Sequence, residues 1–352
     1  MYKKIRVLFT IPNFKTAGSQ YVLLSIINKL DKDLFEIFVG VETRLELIPD
    51  SIPVKNRVQI LLTGNTLKDA YRFSKTLRKK KIQLVHSWDY KSQFVEAIAC
   101  RLAWVPYIYT KKNDAWSKRW FLKSLLSRGI AYNNPDMEQR FFNHFLLRHK
   151  VRFIPHGIDT NHFKPTANKK ENREVFNLCC IGNMGENKNQ LFLVNALKSL
   201  PQNVHLNLYG HGDKTYLRGL KTLIHQEQLE ERVHIHNFIK NLEVPGILQK
   251  QHVFVLASKK EGLPVCVIEA LACGVPVLCS DSGGGSRYIF KDGLGGAIFD
   301  LNNMQQFIAQ INLFYTDTNY LLLKRREAIA LSKQFDLNKE VKSYETLYQQ
   351  LT

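Results

Sequence analysis

VFVLASKKEGLPVCVIEALACGVPVLCSD, residues 253–281, decides the fold. VFVLAS (253–258) is an apolar run of strand length, an apolar run of helical length follows Pro264, and PVLCSD (276–281) reads as a second strand. Strand, helix and strand in that order make a βαβ unit, whose strands run parallel. Pro264 suits the start of the helix, because its missing N–H would be unpaired there anyway. Two acids interrupt the apolar pattern. Glu261 falls in the loop at the carboxyl end of the first strand, and Glu269 falls within the helix. An unpaired carboxylate among apolar neighbours is costly, so Glu269 requires donors. A ribose cis-diol offers two O–H groups to one carboxylate, each bond contributing about 1.5–3 kcal/mol. The helix start, with Gly262 allowing close backbone approach, directs unpaired N–H groups and positive potential outward, which suits a phosphate. Sugar near Glu261, diphosphate at the helix start and ribose on Glu269 together describe a bound sugar nucleotide.

The same alternation extends in both directions. IRVLFTI (5–11), FEIFVGV (35–41), IQLVHSW (82–88) and VPYIYT (105–110) read as strands, with helical patterns at 21–30, 69–81 and 91–104 between them. FNLCCIG (176–182), VHLNLYG (204–210), RVHIHNF (232–238) and GGAIFD (295–300) continue a second series, with helices at 189–200 and 216–229. The polar, turn-rich segment over 155–175 separates the two series. The reading is therefore α/β, with two doubly wound Rossmann-like domains of parallel sheet facing an interdomain cleft. The first spans 1–165 and the second 166–335, with a terminal helix over 336–352 returning to the first. In such sheets ligands bind at the carboxyl ends of strands, at the switch point.

Composition narrows the partners. The net charge is +19. Residues 1–165 hold 29 Lys+Arg and 13 Asp+Glu, 29 − 13 = +16, and the remainder holds 21 and 18, 21 − 18 = +3. A field of that sign attracts anions: nucleic acid, an anionic bilayer or phosphorylated small molecules. Nucleic acid is set aside, because the basic residues lack zinc-finger, helix-turn-helix or RNP-like spacing. AWSKRWFLKSLLSRG (115–129) reads as a basic amphipathic helix suited to anionic headgroups. The six cysteines fit no zinc pattern and sit mostly in apolar runs, so they are expected reduced, in a cytoplasmic protein, and the basic helix with the +16 half adds an expected peripheral contact with the inner face of the membrane. No apolar stretch is long enough for a transmembrane helix.

EGLPVCVIEALACGVPV resembles the E-x7-E signature of the family 4 retaining glycosyltransferases of GT-B fold. VRFIPHGIDTNHFKP (151–165), CCIGNMGENKNQLFLVNAL and LNLYGHGDK follow in the family's order, and FDLNKEVKSYETLYQQLT is similar to its terminal helix. The resemblance implies a sugar-nucleotide donor, UDP-linked by default, and a glycan or lipid-linked acceptor in cell-surface polysaccharide synthesis. It implies no cofactor and no metal. It assigns Glu261 to the donor sugar's hydroxyls, Glu269 to the ribose and Lys188 to the diphosphate. Gly262, Leu263 and Pro264 would bring backbone N–H groups to the donor, Phe238 and Ile239 would meet the base, and Gly18 lies in the loop over the phosphates.

Two departures stand out. The family's usual arginine is replaced by Asn183, so that either Lys188 with the helix after Pro264 suffices or another cation such as Arg287 substitutes. The family's T-x-H histidine is replaced by Thr110-Lys111-Lys112-Asn113, which makes Lys112 and Asn113 candidates for sugar or acceptor contacts. His86, at the end of another strand, is a third. The alternatives are a catalytically silent donor-binding protein and a nonhydrolysing sugar-nucleotide epimerase of the same architecture.

Overall fold

Ile5–Ile11 (β1) pairs in parallel with Phe35–Val41 (β2) along its whole length, and on its other edge with Leu84–Ser87 (β4). From Val7 to Ile11 the strand is buried on both faces, as strands of a doubly covered parallel sheet are. The computed structural model describes residues 4–14, 18–42, 45, 48–88, 93–166 and 174–352. Ala17 and residues 167–173 of the expected linker lie outside the described residues.

The chain divides into two units, Met1–His156 with Leu337–Thr352, and Gly157–Asp336. The division falls before the expected residue 165 because the chain has already joined the second unit's fabric there. Ile158 N–H donates to Phe335 O at 2.9 Å, and Phe163 is buried in the second core.

In the first unit the remaining strands are Arg57–Gln59 (β3), Tyr107–Lys111 (β5), Gly129–Tyr132 (β6) and Val151–Phe153 (β7), in sheet order β3-β2-β1-β4-β5-β6-β7. Helices Gly18–Lys29 (α1), Thr66–Lys79 (α2), Val95–Ala103 (α3) and Lys118–Leu126 (α4) lie between them. In the second unit Phe176–Ile181 (β8), Val204–Tyr209 (β9), Val233–His236 (β10), Val253–Leu256 (β11), Val277–Ser280 (β12) and Gly296–Phe299 (β13) run in order β10-β9-β8-β11-β12-β13. Gln190–Leu197 (α5), Lys214–Gln226 (α6), Val244–Leu248 (α7), Val265–Ala272 (α8), Gly284–Ile289 (α9), Met304–Thr316 (α10) and Thr318–Ser332 (α11) complete it. Leu337–Leu351 (α12) belongs to the first unit, where Glu345 Oε1 accepts the Asp31 N–H at 3.0 Å.

Strand order reverses direction at β1/β4 in one sheet and at β8/β11 in the other. Loops leaving neighbouring strands there diverge and open a crevice at the carboxyl ends.

Candidate functional site

The second unit's switch point gathers three of the expected groups. Lys188 sits in the loop after β8 and Glu261 in the loop after β11, and Lys188 Nζ donates to Glu261 Oε1 at 2.7 Å. Both side chains are largely enclosed, at 21% and 14% exposed. Burial opposes the lysine's charge, but the adjoining carboxylate outweighs it and holds the ammonium's pKa above its ordinary value. The two loops are tied by backbone and amide bonds: Lys259 N–H donates to Asn187 O at 2.7 Å, and Asn187 Nδ2 to Lys260 O at 2.9 Å. Asn187 was invisible to motif reasoning, since it touches no expected ligand group.

Glycines set how closely these loops stack. A Cβ on Gly210 would lie 2.1 Å from Gly182 O, and one on Gly285 would lie 1.7 Å from Gly262 O. The Gly283-Gly284-Gly285 run, read from sequence as turn geometry, therefore opens α9 against the carbonyl of Gly262. Lys188 lies with its Cε 3.3 Å from where a Gly182 Cβ would stand, so the lysine stem crosses that bare backbone.

Glu269 projects from α8, in the turn after Glu261's loop. Its carboxylate is half-buried, and burial lifts its pKa to about 7, with the Asn241 amide acting in the opposite sense. Asn241 Nδ2 reaches Glu269 Oε1 at a long 3.4 Å. Asn241 follows the 238–239 segment, so this bond brings the loop after β10 beside α8. Phe238 is half-buried and stacks on His211, ring centroids 5.2 Å apart. Ile239 packs against the core. Pro264 caps α8 from one residue outside it, and Leu263 is buried, leaving backbone as what this stretch can present.

The thiols of Cys180 and Cys266 lie under the pair, and burial pushes both up to about 12. They stay protonated and pack as small apolar groups, as their sequence context implied. Asn183 is exposed, and its carbonyl accepts from Gln190 Nε2 at 3.3 Å. Arg287 forks onto Asp281, Nε and Nη2 donating at 2.9 and 2.8 Å, so the substitute cation is engaged elsewhere.

In the first unit Gly18 opens α1 at the switch point beside β4, and no atom lies within 4 Å of where a Cβ on it would stand. Lys112 Nζ donates to Ser19 Oγ at 3.0 Å and Trp88 O at 2.5 Å, and lies 4.3 Å over the Trp88 ring. Asn113 Oδ1 accepts from Lys111 Nζ at 2.6 Å. The structure corrects the expectation for His86. It is fully buried, with Nδ1 2.7 Å from the Tyr348 hydroxyl and Nε2 2.8 Å from Thr110 Oγ1, so neither nitrogen is available to a sugar. Burial, then the Lys112 charge, pulls its pKa to about 3. The basic helix is also shorter than expected and turns much of its aromatic face inward. Trp120 and Lys123 are buried, and Trp116 stacks on Phe141 at 4.8 Å.

Comparison with known proteins finds glycosyltransferases along most of the chain. The family described as "Glycosyl transferases group 1" matches residues 159–333, and "Glycosyltransferase Family 4" matches 17–162. An Escherichia coli UDP-Gal:alpha-D-GlcNAc-diphosphoundecaprenol alpha-1,3-galactosyltransferase is 26% identical over 313 residues, 80% of this chain and 79% of its own. A Campylobacter jejuni N-acetylgalactosaminyltransferase acting on a diphospho-undecaprenol-linked sugar is 28% identical, over 65% of this chain and 63% of its own. Among solved structures, Anabaena HepE in complex with UDP-glucose superposes with a TM-score of 0.83 at 20% identity, covering 98% of this chain and 100% of its own. A Rickettsia africae glycosyltransferase gives 0.86 at 16%, covering 99% of each. These structures share the GT-B fold.

Proposed function

Since the chain belongs to the family 4-like glycosyltransferases of GT-B fold, we propose that it moves a hexosyl group from a UDP-sugar to a glycan or lipid-linked acceptor in cell-surface polysaccharide synthesis. In this reading the anomeric configuration is retained and no metal is required. The observation that carries it is the Lys188–Glu261 pair at 2.7 Å, with Glu269 on the adjoining helix. The donor's diphosphate takes Lys188 from Glu261. Glu261 then accepts from the sugar's hydroxyls, while Glu269 accepts from the ribose diol. The anomeric C–O bond breaks toward the diphosphate, whose growing charge is met by the ammonium and the N–H groups opening α8. The acceptor oxygen bonds to the anomeric carbon on the face the diphosphate leaves, and its proton passes to a phosphate oxygen. Lys112 and Asn113 are the candidates for contact with the acceptor or the sugar. The lipid diphosphate in the names of two relatives supports a lipid-linked acceptor, and with it a site of action at the cytoplasmic membrane surface.

The test is nucleotide release from UDP- and GDP-sugars, with and without EDTA, alongside saturation-transfer NMR. Release from a UDP-sugar that persists in EDTA supports the proposal, and absence of both release and binding ends it. A second reading, donor binding without turnover, draws on exposed Asn183 and on Arg287 held by Asp281. Binding without release would favour it.

A further inference from the structure

The first unit holds a cavity of about 600 Å³ at the end of its sheet opposite the switch point. It opens where α3 and α4 finish and where β5, β6 and β7 begin. Its lining includes Arg101, Arg128, Lys150 and Arg152, and no aspartate or glutamate. A cluster of cations at helix carboxyl ends has an ordinary structural use, capping the last carbonyls. Lys150 does this, donating to Leu125 O at 3.0 Å and Ser127 O at 2.9 Å. Arg152 is engaged by a neighbouring carbonyl, Nη1 donating to Val151 O at 2.8 Å. Arg101 and Arg128 are different: both are exposed, and neither guanidinium has an acid or a hydrogen-bond partner among the described residues. Burial first, and the Arg128 charge second, lower the Lys150 pKa, as expected where cations crowd without a counter-ion.

An independent feature marks the same place. Trp104 ends α3 in the left-handed conformation, φ 59° and ψ 36°, the position glycine usually fills, and its side chain is 92% exposed. A bulky residue there is strained, and within the fold the indole gains almost no burial in return. Leu122 and Leu126 are also exposed, one turn apart on α4, and Leu126 reaches the cavity lining. Unpaired guanidinia beside an exposed indole and leucines match an amphiphile whose head is a phosphate diester.

We propose that this cavity binds the phosphoryl head of an anionic phospholipid, with Arg101 and Arg128 on the phosphate and Trp104, Leu122 and Leu126 entering the headgroup boundary. Guanidinium suits the role because its planar fork matches phosphate oxygens. The proposal rests on the reading that the chain works at a membrane, and makes that attachment site-directed rather than diffuse.

Co-flotation of the full chain with phosphatidylcholine vesicles, with and without phosphatidylglycerol, at low salt tests it. A cation near an anionic bilayer contributes about fivefold to partitioning. The Arg101→Gln/Arg128→Gln pair is compared with Lys118→Gln/Arg119→Gln, which removes equal charge from α4 outside the cavity. Nucleotide release and thermal midpoint serve as folding controls. The cavity pair is expected to lose at least about tenfold more partitioning than the control pair, and Trp104→Ala to weaken binding without changing charge. Equal losses in the two pairs would overturn the headgroup site while leaving diffuse membrane binding intact. No flotation of the wild-type chain with phosphatidylglycerol would remove both, and equal flotation without it would overturn the selection of an anionic headgroup, since phosphatidylcholine carries the same phosphate diester without the net charge.

Discussion

Lys188 Nζ and Glu261 Oε1 stand 2.7 Å apart across the loops that leave β8 and β11. Those strands are neighbours in the sheet, and their loops part at the point where the strand order reverses. The two groups, assigned to different parts of the donor, neutralise each other. The site is thus held in shape without leaving either charge uncompensated in a largely enclosed place. Diphosphate binding exchanges one anion for another at Lys188 and frees Glu261 for hydroxyl donors.

Substitutions of the pair should separate their roles. Lys188→Ala should weaken both UDP and UDP-sugar and lower kcat by about a hundredfold to a thousandfold, the usual loss when one charge-stabilising donor is removed. Glu261→Ala leaves the ammonium without its partner. Breaking a fully buried pair costs about 3–5 kcal/mol, and this partly enclosed one should cost on the order of 2 kcal/mol. Its UDP affinity should hold or rise, because the ammonium no longer has to leave a carboxylate, while the UDP-sugar loses its added affinity. Titration calorimetry with both ligands checks this; equal weakening of the two would remove Glu261 from the sugar.

Glu269 should make donor binding depend on pH near neutrality. Its pKa in the folded chain is about 7, raised by burial. The diol donates to the carboxylate form, so UDP affinity should fall as pH drops below 7, approaching tenfold per pH unit. Stability runs the other way. A carboxyl whose folded pKa lies above its unfolded value favours the fold while protonated and loses that contribution as pH rises through about 7. Glu269→Gln should therefore bind UDP weakly at all pH values, yet melt higher than wild type at pH 8 and similarly at pH 5. Loss of stability at pH 8 in this variant would argue that the carboxylate is a structural member of the fold.

Much of this was legible in the sequence because the informative signals were long. Runs such as IRVLFTI and FNLCCI are mostly apolar, interrupted only by Arg6, Thr10 and Asn177, as strands covered on both faces are, and β1, β2 and β8 begin where those runs begin. Strands β3 and β7 have three residues each, too few to show a period, and they are strands only because a longer neighbour offers them partners. The Glu261 and Glu269 positions were readable because acids break an apolar pattern. Their support was not: Asn187 and Asn241 are ordinary polar residues whose value lies in what folds next to them. His86 misled for the same reason. A histidine at a strand's carboxyl end looks like a site residue until α12, from the far end of the chain, supplies Tyr348 to close over it.

The contact of Gly285 with Gly262 should be intolerant of a single methyl group. A Cβ on Gly285 meets Gly262 O at 1.7 Å and Leu263 Cα at 3.0 Å, and both are backbone. Relief requires α9 or the 261–264 loop to move. Gly285→Ala is expected to cost at least about 1–3 kcal/mol, as overpacking does, and to lower activity through displacement of Glu261. Gly185→Ala, where nothing lies within 4 Å of the added carbon, should be near neutral in both thermal midpoint and turnover. Equal tolerance of the two would mean that the loop carrying Glu261 is not positioned by this contact.

His86 should give the first unit a sensitivity to acid that is separable from catalysis. Both ring nitrogens are bonded, to Tyr348 and Thr110, and burial with the Lys112 charge depresses the pKa to about 3. In the unfolded chain the imidazole titrates near about 6.5. A base with a depressed folded pKa contributes fully above its unfolded value and loses that contribution as pH falls, here from about 6.5 towards 3. At pH 5 the loss is about 2 kcal/mol, from about 1.36 kcal/mol per pH unit. Replacement by Gln keeps a donor and an acceptor but cannot be protonated. His86→Gln should therefore start less stable than wild type at pH 7 and lose less on moving to pH 5, so the two denaturation curves draw together. Turnover at pH 7 should stay within a few-fold, because the ring reaches no ligand. A parallel fall of both proteins between pH 7 and pH 5 would show that acid acts elsewhere, and a large loss of turnover with stability intact would return His86 to the site.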